Sequence, residues 1–227
     1  MKYLLRTASA LAPAAAFALA LALAACGSLF QSKVPPTSMY LLSVKTGAAV
    51  GAEVPVDLAV LKPQVRTGLN TDLIAALYPD RRLDYFAGAR WSGPLDEVVH
   101  DLALQAFRAH ANLRTVQAEA SVFGSGYWLE IDVADFQAEY PAGPGAGGPG
   151  TTGTGAPTIH VHLLGSVGAA ADRRVLGRFE ADVRQPAAEN RLTAIVEAYN
   201  QAASTALAKI VADTTATLNR SSERRPN

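Results

Sequence analysis

An α+β fold is what this sequence predicts: a largely antiparallel sheet with two amphipathic helices packed on one face. Segments of period-two hydrophobicity recur along the chain with turn residues between them. Only two stretches, one behind Ser92-Gly93-Pro94 and one near the C-terminus, switch to helical spacing. The resulting order of strands, helix, strands, helix, with hairpin-length connections, suits a helix layer on a mainly antiparallel sheet.

Taken in order, residues 39–44 (Met39-Tyr40-Leu41-Leu42-Ser43-Val44) are β-rich and bounded by turn residues. In residues 54–60, Val54, Val56, Leu58 and Val60 share one face, and Pro55 points to an edge position or a strand start. Residues 71–77 and 82–91 form a hairpin through Tyr78-Pro79-Asp80-Arg81. A helix then opens at Pro94, which is pre-set for a first helical turn, with Asp96 and Glu97 at the positive end of the dipole. Leu95, Val98, Val99, Leu102 and Ala106 make its apolar stripe, with Phe107 at the border and Leu104 expected exposed on the polar side.

A short segment at 113–118 is followed by residues 126–136, where Tyr127, Leu129, Ile131 and Val133 alternate with Trp128, Glu130 and Asp132. Residues 158–167 and 174–183 read as two more strands. From 189 to about 218 runs a long amphipathic helix bearing Leu192, Ile195, Val196, Tyr199, Ala203, Leu207, Ile210 and Val211. The stretch 141–157 holds seven glycines and four prolines, too little apolar surface for a core, and reads as a flexible hairpin extension. The organisation expected is a leader over 1–25, a tether over 26–37, one domain over 38–218 and a disordered polar tail over 219–227.

The leader carries Lys2 and Arg6, then no charge from residue 8 to 25. It ends in Leu23-Ala24-Ala25-Cys26-Gly27, the lipobox pattern that a lipoprotein signal peptidase cuts before the cysteine. Cys26 is the single cysteine of the 227 residues, so no intrachain disulfide can form. Diacylglycerol and an N-acyl chain on Cys26 would hold the protein to a membrane, each buried CH₂ adding about 0.8 kcal/mol. Gly27, where an aspartate would favour inner-membrane retention, leans towards the outer membrane and a periplasm-facing domain. Eleven residues of tether reach at most about 36 Å. Beyond the leader the chain has 18 basic and 20 acidic residues, net −2, with no basic stripe to neutralise phosphates, so nucleic-acid binding is not expected.

Chemistry-bearing motifs are scarce. Gly143-Pro144-Gly145-Ala146-Gly147-Gly148 matches G-x-G-x-x-G, but prolines and a strand follow it where a phosphate site needs a helix. His160 and His162 share a strand face and could chelate a metal, yet the sequence places no third ligand beside them; solvated surface histidines and no metal are expected. His100 and His110 read as structural residues of the first helix. Gly124-Ser125-Gly126 lacks the strand–turn–helix setting of a nucleophile elbow, and Asp132 with Asp135 reads as the wet face and end of a strand. No catalytic residue and no cofactor beyond the lipid are expected.

Several of these features together resemble one family, the ABC-type transport auxiliary lipoproteins, in particular their PqiC-like outer-membrane group. The resemblance is carried by Cys26 in its lipobox, by Tyr40-Leu41-Leu42 behind a proline-containing tether, and by Arg90-Trp91-Ser92-Gly93-Pro94-Leu95. The spaced alanines Ala198, Ala202, Ala203 and Ala206 of the last helix add to it, and the likeness runs from about residue 38 to 218. Two departures are visible: 61–70 lacks the family's aspartate–arginine pair, and the Gly/Pro loop looks inserted. The resemblance implies a non-catalytic periplasmic subunit serving an MCE-domain protein and an ABC permease and ATPase in lipid transport between membranes. Self-association into a ring would suit a tubular partner. Tyr40, Arg90, Trp91 and Pro94 are the candidates for a structural or partner-contact role; for the Arg90-Trp91 pair the structural one is preferred, because the pair abuts a strand–helix junction. The competing reading is a structural lipoprotein that helps assemble an envelope complex.

Overall fold

The computed structural model describes residues 37–44, 53–118, 124–142 and 155–223. Their elements, in chain order, are β1 (Ser38–Tyr40), β2 (Val54–Val60), β3 (Gln64–Val65), β4 (Leu73–Leu77), β5 (Leu83–Trp91), α1 (Leu95–His110), β6 (Leu113–Ala118), β7 (Tyr127–Glu139), β8 (Thr158–Ala169), β9 (Val175–Pro186) and α2 (Leu192–Glu223). The fold is α+β, and the nine strands form one sheet.

The sheet is organised around β7. One edge of β7 is paired along almost its whole length with antiparallel β8, which in turn pairs with antiparallel β9. The other edge is shared by three strands in succession: β2 at Leu58–Val60, β3 at Gln64–Val65 and β4 at Ala76–Leu77, all parallel to β7. Outside these, β6 runs parallel to β2, β5 forms the expected hairpin with β4, and β1 runs parallel to β5. The long ladders are thus antiparallel and the short ones mostly parallel.

Several elements differ from their sequence reading for identifiable reasons. Within the β-rich stretch 39–44 only Met39 and Tyr40 pair; Met39 and Leu41 are exposed while Leu42 enters the core. Of the two placements read for Pro55 the strand start holds: it is the second residue of β2, an interior strand, and the pairing of β2 with β6 slips between Val54 and Asp57, where a residue without an N–H costs no ladder bond. Residues 113–118 are a full strand. The last helix begins three residues later than expected and continues to Glu223, so 219–223 are helical, not a disordered tail. Leu104 is buried, since α2 packs against α1 and extends the core around that helix.

The hairpin between β4 and β5 closes as its residues dictate. Tyr78 N–H donates to the Arg82 carbonyl at 3.0 Å, Arg81 N–H donates to the Tyr78 carbonyl at 2.8 Å, and Arg81 takes a left-handed φ of 67°. Both helices lie on one face of the sheet: α2 on β8, β9 and β2, α1 on β2, β3 and β6, and each against the other. The alanines of α2 (Ala198, Ala202, Ala203 and Ala206) are buried, which lets its backbone come close to the strands. Beneath it, a Cβ on Gly165 would lie 3.1 Å from Phe179 and 3.2 Å from Ile210. That position is glycine because the helix occupies the space.

Candidate functional site

Cys26 and its lipobox lie outside the described residues. The other sequence-predicted candidates come together at the junction of β5 and α1. Tyr40 is in register with Trp91. Trp91 is 2% exposed and meets Tyr199 (ring centroids 5.1 Å, 79°) and Phe136 (6.2 Å, 80°) edge to face. Asp72 holds both members of the Arg-Trp pair: its carboxylate accepts from Arg90 Nη1 at 2.9 Å and its carbonyl from Trp91 N–H at 2.7 Å. Trp91 therefore has no surface to offer a partner, while the side chain of Arg90 is half exposed.

Pro94 occupies the N-cap of α1 and has no side chain able to cap it. Its carbonyl accepts from Glu97 and Val98 N–H, and Asn70 Oδ1, from the loop before β4, accepts from Asp96 N–H at 3.2 Å. Lys62 Nζ lies 2.9 Å from Asp96 and 3.6 Å from Glu97. Burial alone would raise the Asp96 pKa; the bonds from Lys62 and Asn70 outweigh it and hold the carboxyl below its ordinary value. The segment 61–70 thus closes the helix start from a distance.

A second constellation, unforeseen as a unit, lies on the face of β7–β9 turned away from the helices. Val133 pairs with Leu163 but Asp135 with His162, so Ala134 is a bulge that reverses the alternation of β7. Before it the odd residues face the core; after it Phe136, Ala138 and Tyr140 do, and Asp135, Gln137 and Glu139 face outwards. They meet His160 and His162 of β8 and Glu180, Asp182 and Arg184 of β9.

His160, although only 6% exposed, has both ring nitrogens against carboxylates: Nδ1 at 2.9 Å from Glu139 and Nε2 at 2.9 Å from Asp182. His162 Nε2 lies 2.8 Å from Glu180 and Nδ1 lies 3.4 Å from Asp135 Oδ2. The two imidazoles stack, 6.1 Å apart at 12°. Arg66 Nη1 and Gln137 Nε2 each donate to Asp135 Oδ1 at 3.0 Å, and Arg184 donates to Glu139. Burial pushes the Glu139 carboxyl up, but the bonds from Arg184, His160 and Gln137 prevail and keep it low.

This polar face borders a cleft of about 560 Å³, lined among others by Arg66, Leu69, Leu83, Asp135 and Tyr140. One wall is the stacked pair Tyr78 and Tyr140, 5.4 Å apart at 9°, with the Arg82 guanidinium 4.5 Å above the Tyr78 ring. Burial drives the Tyr140 hydroxyl up to about 12, so it stays protonated and donates to Asn190 Oδ1 at 2.9 Å.

Among the described residues, the remaining motifs do not assemble chemistry. The glycine run 143–148 lies outside the described residues. Ser125 Oγ accepts from the amide of Gln117, a group that cannot serve as its base. His100 Nε2 lies 3.0 Å from the Val60 carbonyl, which ties α1 to β2. His110 falls in the last turn of α1.

Comparison with known proteins gives a consistent result. The family model of ABC-type transport auxiliary lipoprotein components matches residues 40–211. No curated protein matches the sequence. Among solved structures, the chain is similar to the crystal structure of a Xanthomonas campestris protein, at 24% identity and a TM-score of 0.68, over 82% of this chain and 99% of that one. It is also similar to the crystal structure of an uncharacterised protein, at 14% identity and a TM-score of 0.56, over 79% and 99%. These likenesses show the fold.

Proposed function

This chain belongs to the ABC-type transport auxiliary lipoprotein family, and from that membership we propose that it is a non-catalytic docking subunit of a lipid transport system spanning the two membranes. The lipid on Cys26 would moor it to the outer membrane with its domain in the periplasm, and the domain would receive or secure the distal end of an MCE-domain protein driven by an ABC permease and ATPase. The observation that carries this reading is the family match over 40–211, standing directly behind a lipobox and a short tether. The fold supports it in a further way. The junction residues Tyr40, Trp91 and Pro94 are spent on rigidity, and a rigid body on a lipid tether raises the local concentration of its docking surface without new contacts. Self-association of several copies around a tubular partner belongs to the same proposal.

The test is recovery of partners. Tagged protein extracted from membranes is expected to bring down an MCE-domain protein together with ABC permease or ATPase subunits. Recovery of outer-membrane assembly components alone would favour the competing assembly role and overturn the transport reading. Replacing Cys26 with serine is expected to move the protein from the membrane to the soluble fraction; unchanged fractionation would remove the mooring on which docking depends.

A further inference from the structure

The ionised cluster on the outer face of β7–β9 has a composition that docking does not require. We propose that Asp135, His160 and His162 form a binding site for a divalent transition-metal ion of the zinc type. Two histidines two residues apart on β8 point the same way, and the bulge at Ala134 delivers Asp135 opposite His162. One donor atom from each of the three lies within 4.8 Å of the other two. Ligands held about 2.0–2.1 Å from one ion sit closer together than that, so the side chains close on it by rotation about their χ angles. Two imidazoles and one carboxylate suit zinc, cobalt, nickel or copper; magnesium and calcium favour all-oxygen sets.

Three further features point the same way. The outer partners that orient metal ligands are already in place. Asp135 Oδ1 is held by Arg66 and Gln137, which leaves Oδ2 turned to His162. With Nδ1 of His162 on the ion, Nε2 keeps its bond to Glu180; whichever nitrogen His160 uses, the other keeps Glu139 or Asp182. Charge balance is the second feature. Among the described residues, the carboxylates of Asp135, Glu139, Glu180 and Asp182 surround the two imidazoles and are bridged by two guanidinium groups, Arg66 and Arg184, which leaves two negative charges that one divalent ion neutralises. The third is access: Asp135 and Glu139 line the neighbouring cleft, which opens the cluster to solvent.

The experiment uses the full-length lipoprotein, purified in detergent without a histidine tag and stripped with chelator. Titration with Co²⁺ alone is expected to reach one equivalent with visible d–d absorption that Zn²⁺ then bleaches. Lowering the pH is expected to weaken Zn²⁺ binding. His162→Gln and Asp135→Asn should each weaken it by at least about tenfold, and Glu180→Gln by a smaller factor, with metal-free melting curves kept as the control for folding. Failure of the unaltered protein to bind Co²⁺ or Zn²⁺ stoichiometrically overturns the proposal, whatever the variants do. Equal binding by His162→Gln and Asp135→Asn variants that still fold overturns it as well.

Discussion

The two faces of strands β7, β8 and β9 are made from alternate residues of the same twelve or thirteen positions, yet they obey different rules. The helix-covered face carries Phe136, Ile159, Val161, Leu163 and Ala181, closed to solvent by α2. The outer face carries acids, histidines and arginines joined by polar contacts, among them the Arg184–Glu139 and Arg66–Asp135 ion pairs. On the first, every side chain is replaceable only by something of the same shape, because close packing leaves no slack. On the second, much of the gain from each ion pair is offset by desolvation and by solvent screening. Burial should therefore set stability, and the outer face should set response to ions and pH.

The sharpest way to break this contrast is Trp91→Ala. It opens a cavity between Phe136 and Tyr199 and is expected to cost about 3–5 kcal/mol in urea or thermal unfolding. A loss no larger than that of a surface substitution would mean the covered face is not the stabilising one. Next comes Gly168→Ala, a position where the outer face should behave like core. A Cβ there would lie 2.3 Å from the Trp128 ring and 2.8 Å from the Arg174 carbonyl, and about 1–3 kcal/mol should be lost. Smaller again is Tyr199→Phe. Burial holds the Tyr199 hydroxyl protonated far above its ordinary range, and it donates to the Ala75 carbonyl at 2.8 Å; losing that bond should lower stability by about 1 kcal/mol.

The smallest effect belongs to the outer face and is one of pH. Glu139 has a lower pKa folded than unfolded, so its contribution is present above the unfolded value and is lost as pH falls through the folded one. Melting temperature should accordingly fall on acidification below the ordinary range of glutamate, and Glu139→Gln should make that fall shallower. An identical pH profile in the variant would assign the acid sensitivity elsewhere, with Asp57, lowered by its bonds to Arg114 and Thr115, the next group to test.

What could be read from the sequence was what depends on one segment at a time. Alternation marked β2, β7, β8 and β9, Pro94 marked the start of α1, and Tyr78-Pro79-Asp80-Arg81 marked the hairpin. Partner and direction were not legible. A strand's period fixes which face is apolar, not which neighbour it joins, so the parallel ladders of β2, β3 and β4 on β7 left no local trace. At two residues, β3 is too short to show any period. The outer cluster was assembled by register: Asp135 looked like a strand end because the alternation of 127–133 breaks there. A signal was nevertheless present. Odd positions are apolar up to Val133 and even positions from Phe136 to Tyr140, and such a change of phase inside one strand marks a bulge.

The sharing of one edge of β7 by three earlier strands also has a consequence in time. Leu58, Gln64 and Ala76 each wait for a partner roughly 60–70 residues further along, at Tyr127, Asp132 and Ala138. The β4–β5 hairpin can close early, but the shared edge formed by β2, β3 and β4 has no template until β7 has been made. A polypeptide so arranged completes its sheet late, when the central strand arrives.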